Sequence, residues 1–336
     1  MITSPPKKHC LLIIHREFHH FEKFLTETFI SKGYRVTIAN DVYPTNLLGK
    51  FLGKIQFPTV YRSTYNHIVT KFLNSNTYDI AVIIRGRGIS LKLIKKIKES
   101  IPYVIGYNWD TFKFNSSPLT WFKQVDKYYT FDYAYAQQYQ LPILELFSAT
   151  PKSEKKEQVT YKVTAIGKNY YGRLKYIHSV LQAIKPESFY LQLHENNVFF
   201  GVLNFLKNPG LYLKYWHHIN IKPLAHNDYI NALSSAEFVI DYANDGQTGI
   251  TMRCFESIAL QTKIITNNSY LLRCEYFNEF NTIVFVPGKT PVGPFKHQIN
   301  RAIAHNYLSV RSISDFVDEA YSLITTILLF NINRNL

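Results

Sequence analysis

The stretch AEFVIDYANDGQTGITMRCFESIALQTKIITNN, residues 236–268, decides the fold. AEFVI is a short apolar run ending in Asp241, TMRCFESIAL places its apolar residues at helical spacing, and TKIIT is a second short apolar run. Continuous apolar runs of this length are strands buried on both faces. Two of them joined by a helix form a parallel βαβ unit.

The same alternation extends outward in both directions. CLLIIH, YRVTIA, YDIAVII, PYVIGYN and KYYTFD form one series of strands, and YKVTAIG, SFYLQLH, HHINIKP, AEFVIDY, TKIITNN and NTIVFV form another. Helical stretches such as HHFEKFLTETFISKG, SLKLIKKIKES and GRLKYIHSVLQAI lie between them. The alternation restarts across TPKSEKKEQVT, a charged, apolar-poor linker at residues 150–160. The expectation is therefore α/β, with two Rossmann-like domains whose parallel sheets face a central cleft. The first spans residues 1–150, the second 157–310, and a closing helix follows at 312–330.

Open α/β sheets bind ligands beyond the carboxyl ends of their strands, so the loops there are the ones to read. After Asp241 comes a loop with Gly246 and Gly249, and Thr248 or Thr251 would cap the helix that follows. A helix start has unpaired N–H groups and a partial positive charge, which favour phosphate. Arg253 in the first turn would fork onto a diphosphate, and Glu256, three residues on, would accept from ribose hydroxyls. A capped surface helix with an Arg–Glu pair remains the alternative.

These residues also carry a resemblance. The stretch through Gln247, Thr248, Gly249, Thr251, Met252, Arg253, Glu256, Lys263, Thr266 and Asn267 resembles bacterial lipopolysaccharide and capsule biosynthesis glycosyltransferases of the two-Rossmann, GT-B type. YNWDTFKF, YTFDYAYAQQYQLPILELF and VTAIGKNYYGRLKYI are similar to further elements of that family, in the same order.

The resemblance implies a nucleotide-sugar donor on the second domain and a surface-glycan or lipid-linked acceptor on the first. No Asp-x-Asp metal motif occurs in the chain. The implied diphosphate site is then metal-free and uses no cofactor: backbone N–H groups with Arg253, Lys263 and Arg173. His226 in KPLAHND would lie near the base. For an inverting transfer Asp110 is the first candidate base, a carboxylate desolvated beside Trp109, with Asp132 and His15 as further candidates. His15 and His19 lack a carboxylate partner for a metal site. The arginines of RGRG, residues 85–88, suit an acidic acceptor or phosphate, or a solvated turn.

Composition bounds the rest. Lys and Arg number 38 against 24 Asp and Glu, a formal charge of +14 that draws the protein to anions such as nucleotides or an anionic membrane. Helix-turn-helix, RNP and zinc patterns are missing, so nucleic acid is not an expected partner; a nucleic-acid-binding protein is the weaker alternative, and a non-catalytic nucleotide-sugar or glycan-binding protein the stronger. Three cysteines without metal spacing fit a reducing cytoplasm. No apolar run reaches the roughly 20 residues that span a bilayer. The expected location is the cytoplasm, with peripheral attachment to the inner face of the bacterial inner membrane.

Overall fold

The computed structural model describes residues 8–15, 21–152, 159–169, 172–301 and 310–320. They divide into two compact units. One comprises the chain up to Ala149 together with the segment from Ile313, and the other runs from Thr150 to Ser312. The middle of the linker and residues 321–330, the apolar tail expected to complete the closing helix, lie outside the described residues.

The first unit is a five-stranded parallel sheet with strand order β2-β1-β3-β4-β5. Its elements in chain order are β1 (His9–Ile13), α1 (Phe21–Ser31), β2 (Arg35–Ala39), α2 (Leu47–Lys54), α3 (Pro58–Ile68), β3 (Ile80–Ile84), α4 (Leu91–Ser100), β4 (Tyr103–Asn108), β5 (Lys127–Thr130) and α5 (Tyr133–Tyr139). β1 and β3 are buried along their whole length, as their unbroken apolar sequences require. In α4 the Ser90 hydroxyl accepts from the Leu93 N–H, Leu93, Ile94 and Ile97 face the core, and the lysines of the charge run stay outward. Gly106 in β4 leaves room for the Tyr128 ring of β5, which a Cβ would meet at 2.4 Å.

The segment after the second unit returns to the first. Residues 313–320 are helical, Phe316 packs against Tyr107 and Phe147, and the Tyr129 hydroxyl donates toward the carbonyls of Glu319 and Ala320.

The second unit is a six-stranded parallel sheet, order β11-β10-β9-β6-β7-β8. Its elements are β6 (Tyr161–Lys168), α6 (Arg173–Ile184), β7 (Phe189–His194), α7 (Val198–Lys207), α8 (Pro209–Lys214), β8 (Ile219–Asn220), α9 (His226–Ser234), β9 (Ala236–Asp241), α10 (Met252–Ala259), β10 (Lys263–Thr266), β11 (Thr282–Val284) and α11 (Val292–Arg301). The sheet grows one way from β6 through β7 to β8, then the other way from β9 to β11. The order therefore reverses between β6 and β9. In the first unit the reversal falls between β1 and β3. A crevice opens at such a point because the crossover helices on its two sides lie on opposite faces.

Shortening Phe316 to alanine tests the return of the chain, since it removes a buried ring from the first unit. The expected loss is about 3–5 kcal/mol, read as earlier unfolding of Trp109 and Trp121 emission.

Candidate functional site

The carboxyl edge of the second sheet holds the Arg253 assembly at its reversal point. Asp241 ends β9 with its side chain 1% exposed, and the Arg253 Nη1 donates to its Oδ1 at 2.7 Å. Thr251 occupies the N-cap position of α10, but its hydroxyl donates to the same Asp241 oxygen at 3.0 Å, and no side chain caps the helix. The Cys254 N–H donates to the Thr251 carbonyl at 3.0 Å, which leaves the N–H groups of Met252 and Arg253 for another acceptor. Burial alone would weaken the Arg253 charge; Asp241, with Tyr229 and Cys254, outweighs it and raises the guanidinium above its ordinary range.

Across the reversal point, β6 closes with Gly167 and Lys168, and α6 begins with Arg173. The Arg173 Nη1 donates to the Lys168 carbonyl at 2.6 Å and its Nη2 to the Tyr242 carbonyl at 3.3 Å. Gly167 has φ of 144°, and a Cβ there would lie 2.7 Å from Arg253 Nη2 and 3.1 Å from Arg173 Nη1. Glycine therefore lets two guanidinium groups converge on one backbone position. Like charges held that close create a local positive potential, which Asp241 offsets at Arg253.

Two asparagines tie down the loop between β9 and α10. Asn267 exchanges hydrogen bonds with the N–H and carbonyl of Ala243, and Asn268 donates to the carbonyls of Thr248 and Gly249. Gln247 donates to the Gly249 carbonyl at 3.3 Å, closing the turn from within. Gln247, Thr248, Gly249, Thr251, Arg253 and Arg173 thus lie at one edge of one sheet.

Lys263 does not join them. It is the first residue of β10, in register with Phe238, whereas Asp241 is in register with Thr266 at the other end of the strand. Its ammonium lies 3.6 Å from Glu237 at the amino edge of the sheet. A diphosphate role for Lys263 is therefore withdrawn.

Glu256 sits one turn into α10 and is 5% exposed, with the Tyr229 hydroxyl of α9 donating to its Oε2 at 2.5 Å. Burial pushes its carboxyl up to about 7, against the opposing pull of that hydroxyl and of Arg253. His226 is exposed at the start of α9, its ring stacked toward that of Tyr229.

The first unit carries a second polar cluster on its own carboxyl edge. Asp41, just after β2 and fully buried, faces His15 Nδ1 at 3.4 Å and accepts from the Arg87 N–H at 3.1 Å. Burial raises the Asp41 carboxyl, but His15, Arg85 and the Arg87 N–H together hold it below its ordinary range. Arg85 Nε and Arg87 Nη2 approach Asp110 Oδ2 at 3.3 and 3.8 Å. Arg85 adopts the left-handed conformation, φ 70°, and Asn115 holds its carbonyl at 2.7 Å. Such a backbone costs about 1–3 kcal/mol and persists where surroundings impose it.

Two sequence expectations change here. Asp110 lies between two arginines and not against an apolar wall, since the buried Trp109 side chain beside it belongs to the core and packs near Phe21. Asp132 is fully buried as the N-cap of α5, where its Oδ1 accepts from the Tyr135 N–H at 3.2 Å; a carboxylate spent on a cap is no base for a substrate. His19 lies outside the described residues. Asp41, Tyr229 and Gly167 are the contributors that sequence reasoning missed. The strand-end rule applied to the loop after YRVTIA would have found Asp41.

Among the described residues, no group of three or more His, Cys, Asp or Glu is placed to hold a metal ion, and no helix is long and apolar enough to cross a membrane. The three cysteines are free and buried.

No family model matches the chain, and a search of curated proteins gives no match. Solved structures do match over nearly the whole chain. A glycosyltransferase from Rickettsia africae ESF-5 has a TM-score of 0.54 at 12% identity, over 96% of this chain and 99% of its own. HepE from Anabaena, in complex with UDP-glucose, has 0.54 at 9%, over 98% and 100%. UDP-GlcNAc 2-epimerase from Methanocaldococcus jannaschii, in complex with UDP-GlcNAc and UDP, has 0.50 at 10%, over 95% and 99%. The likeness is one of fold: two parallel-sheet α/β domains of the GT-B type, an architecture these nucleotide-sugar proteins share.

Glu256→Gln tests the buried carboxyl. The folded protein raises its value from 4.5 to about 7, so the fold favours the protonated form, and stability falls as pH rises between those values. The glutamine variant lacks this loss. Its melting temperature is expected to exceed that of the parent at pH 8, by an amount reflecting up to about 3 kcal/mol, with the gap closing toward pH 4.5.

Proposed function

We propose that the protein is a nucleotide-sugar-dependent glycosyltransferase that builds a bacterial surface glycan of the lipopolysaccharide or capsule kind. The observation that carries this is the convergence of Arg253 and Arg173 on Gly167, at the reversal point of the second sheet and beside the uncapped start of α10. The GT-B fold, shared with structures that hold UDP or UDP-sugars, supports the same reading.

In this reading the donor diphosphate lies against the first-turn N–H groups of α10, with the loop of Gln247 to Gly249 held close by Asn268. Arg253 and Arg173 offset the charge that develops on the leaving nucleotide. They act without a metal ion or cofactor. Glu256, positioned by Tyr229, takes the ribose, and the exposed His226 lies toward the base. Orienting Arg253 on the buried Asp241 before the donor arrives means that little reorganisation accompanies the reaction.

The acceptor belongs to the first unit. His15 with Asp41 is the better base there: with the Nδ1 proton directed at the buried carboxylate, Nε2 remains to take the proton of an acceptor hydroxyl. Asp110, held by Arg85 and Arg87, serves to position the acceptor.

Release of free nucleotide from a nucleotide-sugar panel, with and without glycan acceptors, checks the assignment. Arg253→Ala leaves the buried Asp241 without its guanidinium and is expected to melt earlier; at a temperature where circular dichroism shows it folded, its turnover is expected to fall about 10²- to 10³-fold, and Arg253→Lys to restore little, because a lysine cannot fork. Undiminished turnover in a folded Arg253→Ala protein, or conversion of the donor to its epimer in place of nucleotide release, would overturn it.

A further inference from the structure

Helix α2, LLGKFLGK, is built inside out. Its side toward the protein carries Gly49 and Gly53. A Cβ on the first would lie 1.9 Å from the Pro44 carbonyl oxygen, and on the second 3.0 Å from the Val42 side chain. The large apolar residues lie on the other side: Leu47 is 84% exposed, Leu48 62%, Phe51 58% and Ile55, at the C-cap, 53%. At 100° per residue these four span one quadrant of the helix, the glycines fall opposite, and Lys54 flanks the apolar quadrant. A helix that packs on a core in water places its large apolar residues inward. This one reserves them for something outside the unit.

Charge selects the occupant. From Val42 to Tyr78 the chain contains no Asp or Glu, while Lys50, Lys54, Arg62 and Lys71 fall within it. Phe57, also exposed, continues the apolar surface past the helix, and the Gln56 amide donates to the Ser116 hydroxyl beside the exposed Lys113 and Phe114. A second copy of the chain would bring another acid-free basic surface, and another +14 molecule, against this one. An anionic bilayer matches both parts: its acyl boundary takes the leucines and Phe51, and its headgroups attract the lysines, each worth about 1 kcal/mol near the surface.

We propose that α2 is an interfacial anchor that lies in the surface of an anionic membrane. This rests on the peripheral membrane attachment expected from the sequence and names the element responsible. In the basic helix α4, Leu91 alone among the large apolar residues is exposed and Leu93, Ile94 and Ile97 are buried, too little for such an anchor.

Sedimentation with vesicles tests it without donor or acceptor, so its outcome is independent of whether transfer occurs. Phosphatidylglycerol–phosphatidylcholine vesicles are compared with pure phosphatidylcholine, using the whole chain and a Leu47→Ser, Leu48→Ser, Phe51→Ser variant whose changes are all on exposed side chains. The parent is expected to bind the anionic vesicles, to release as salt rises, and to lose at least about tenfold in affinity in the variant. Helix α7 shows the same exposed spacing at Val198, Phe199, Val202 and Leu206, and serin substitution of its first three positions is the control for general greasiness. Failure of the parent to bind anionic vesicles, or binding by the α2 variant equal to the parent, would overturn the proposal. So would a parent dimer that the α2 substitutions convert to monomer.

Discussion

A guanidinium held 2.7 Å from a carboxylate that is almost completely buried is the constraint on which the second unit's site depends. Asp241 terminates a central strand, so its charge needs a partner inside the fold, and removing that partner from a buried pair is strongly destabilising. Arg253 meets the need, and Thr251 adds a hydroxyl to the same oxygen. The start of α10 is thereby pinned to the end of β9. Everything nearby conforms: Gly167 gives up its side chain so that Arg253 and Arg173 fit, and Asn267 and Asn268 brace the loop from the end of β10. Both guanidinium groups are held by the fold's own acceptors, and the cost of ordering them belongs to folding.

The first unit solves a different electrostatic problem on the equivalent edge. There the charges nearly balance, with Arg85 and Arg87 set against Asp41 and Asp110 and with His15 beside Asp41. The left-handed backbone at Arg85, followed by a left-handed Gly86, turns the chain sharply beyond β3, and the Asn115 bond to the Arg85 carbonyl holds that turn. In the second unit Glu256 is a carboxyl buried beside a tyrosine hydroxyl and raised to about 7 by that burial.

Much of this was legible in the chain. Strands such as CLLII and IAVII, buried on both faces, leave continuous apolar runs, and the loops that follow them are the ones that carry the polar clusters. Arg253, Arg173 and the Gln247–Thr251 loop could be picked out because strand-end position is itself a local property. Asp132 misled because a cap and a catalytic carboxylate look alike in sequence; the difference is whether a neighbouring N–H has claimed the oxygen. Asp110 misled because its arginine neighbours come from the end of another strand.

By itself, then, the sequence determined the alternation of strands and helices, the restart that makes two α/β units, and the excess of positive charge. All three follow from which residues avoid water and which carry charge, and both are properties of single residues and their near neighbours. Only the tertiary structure decided that Lys263 stands at the amino edge of its sheet while Thr266, three residues on, stands level with Asp241. It alone brought His15 to Asp41 and two arginines to Gly167. Those meetings depend on strand order and register across distant parts of the chain, and neither order nor register leaves a mark in the local sequence of a strand.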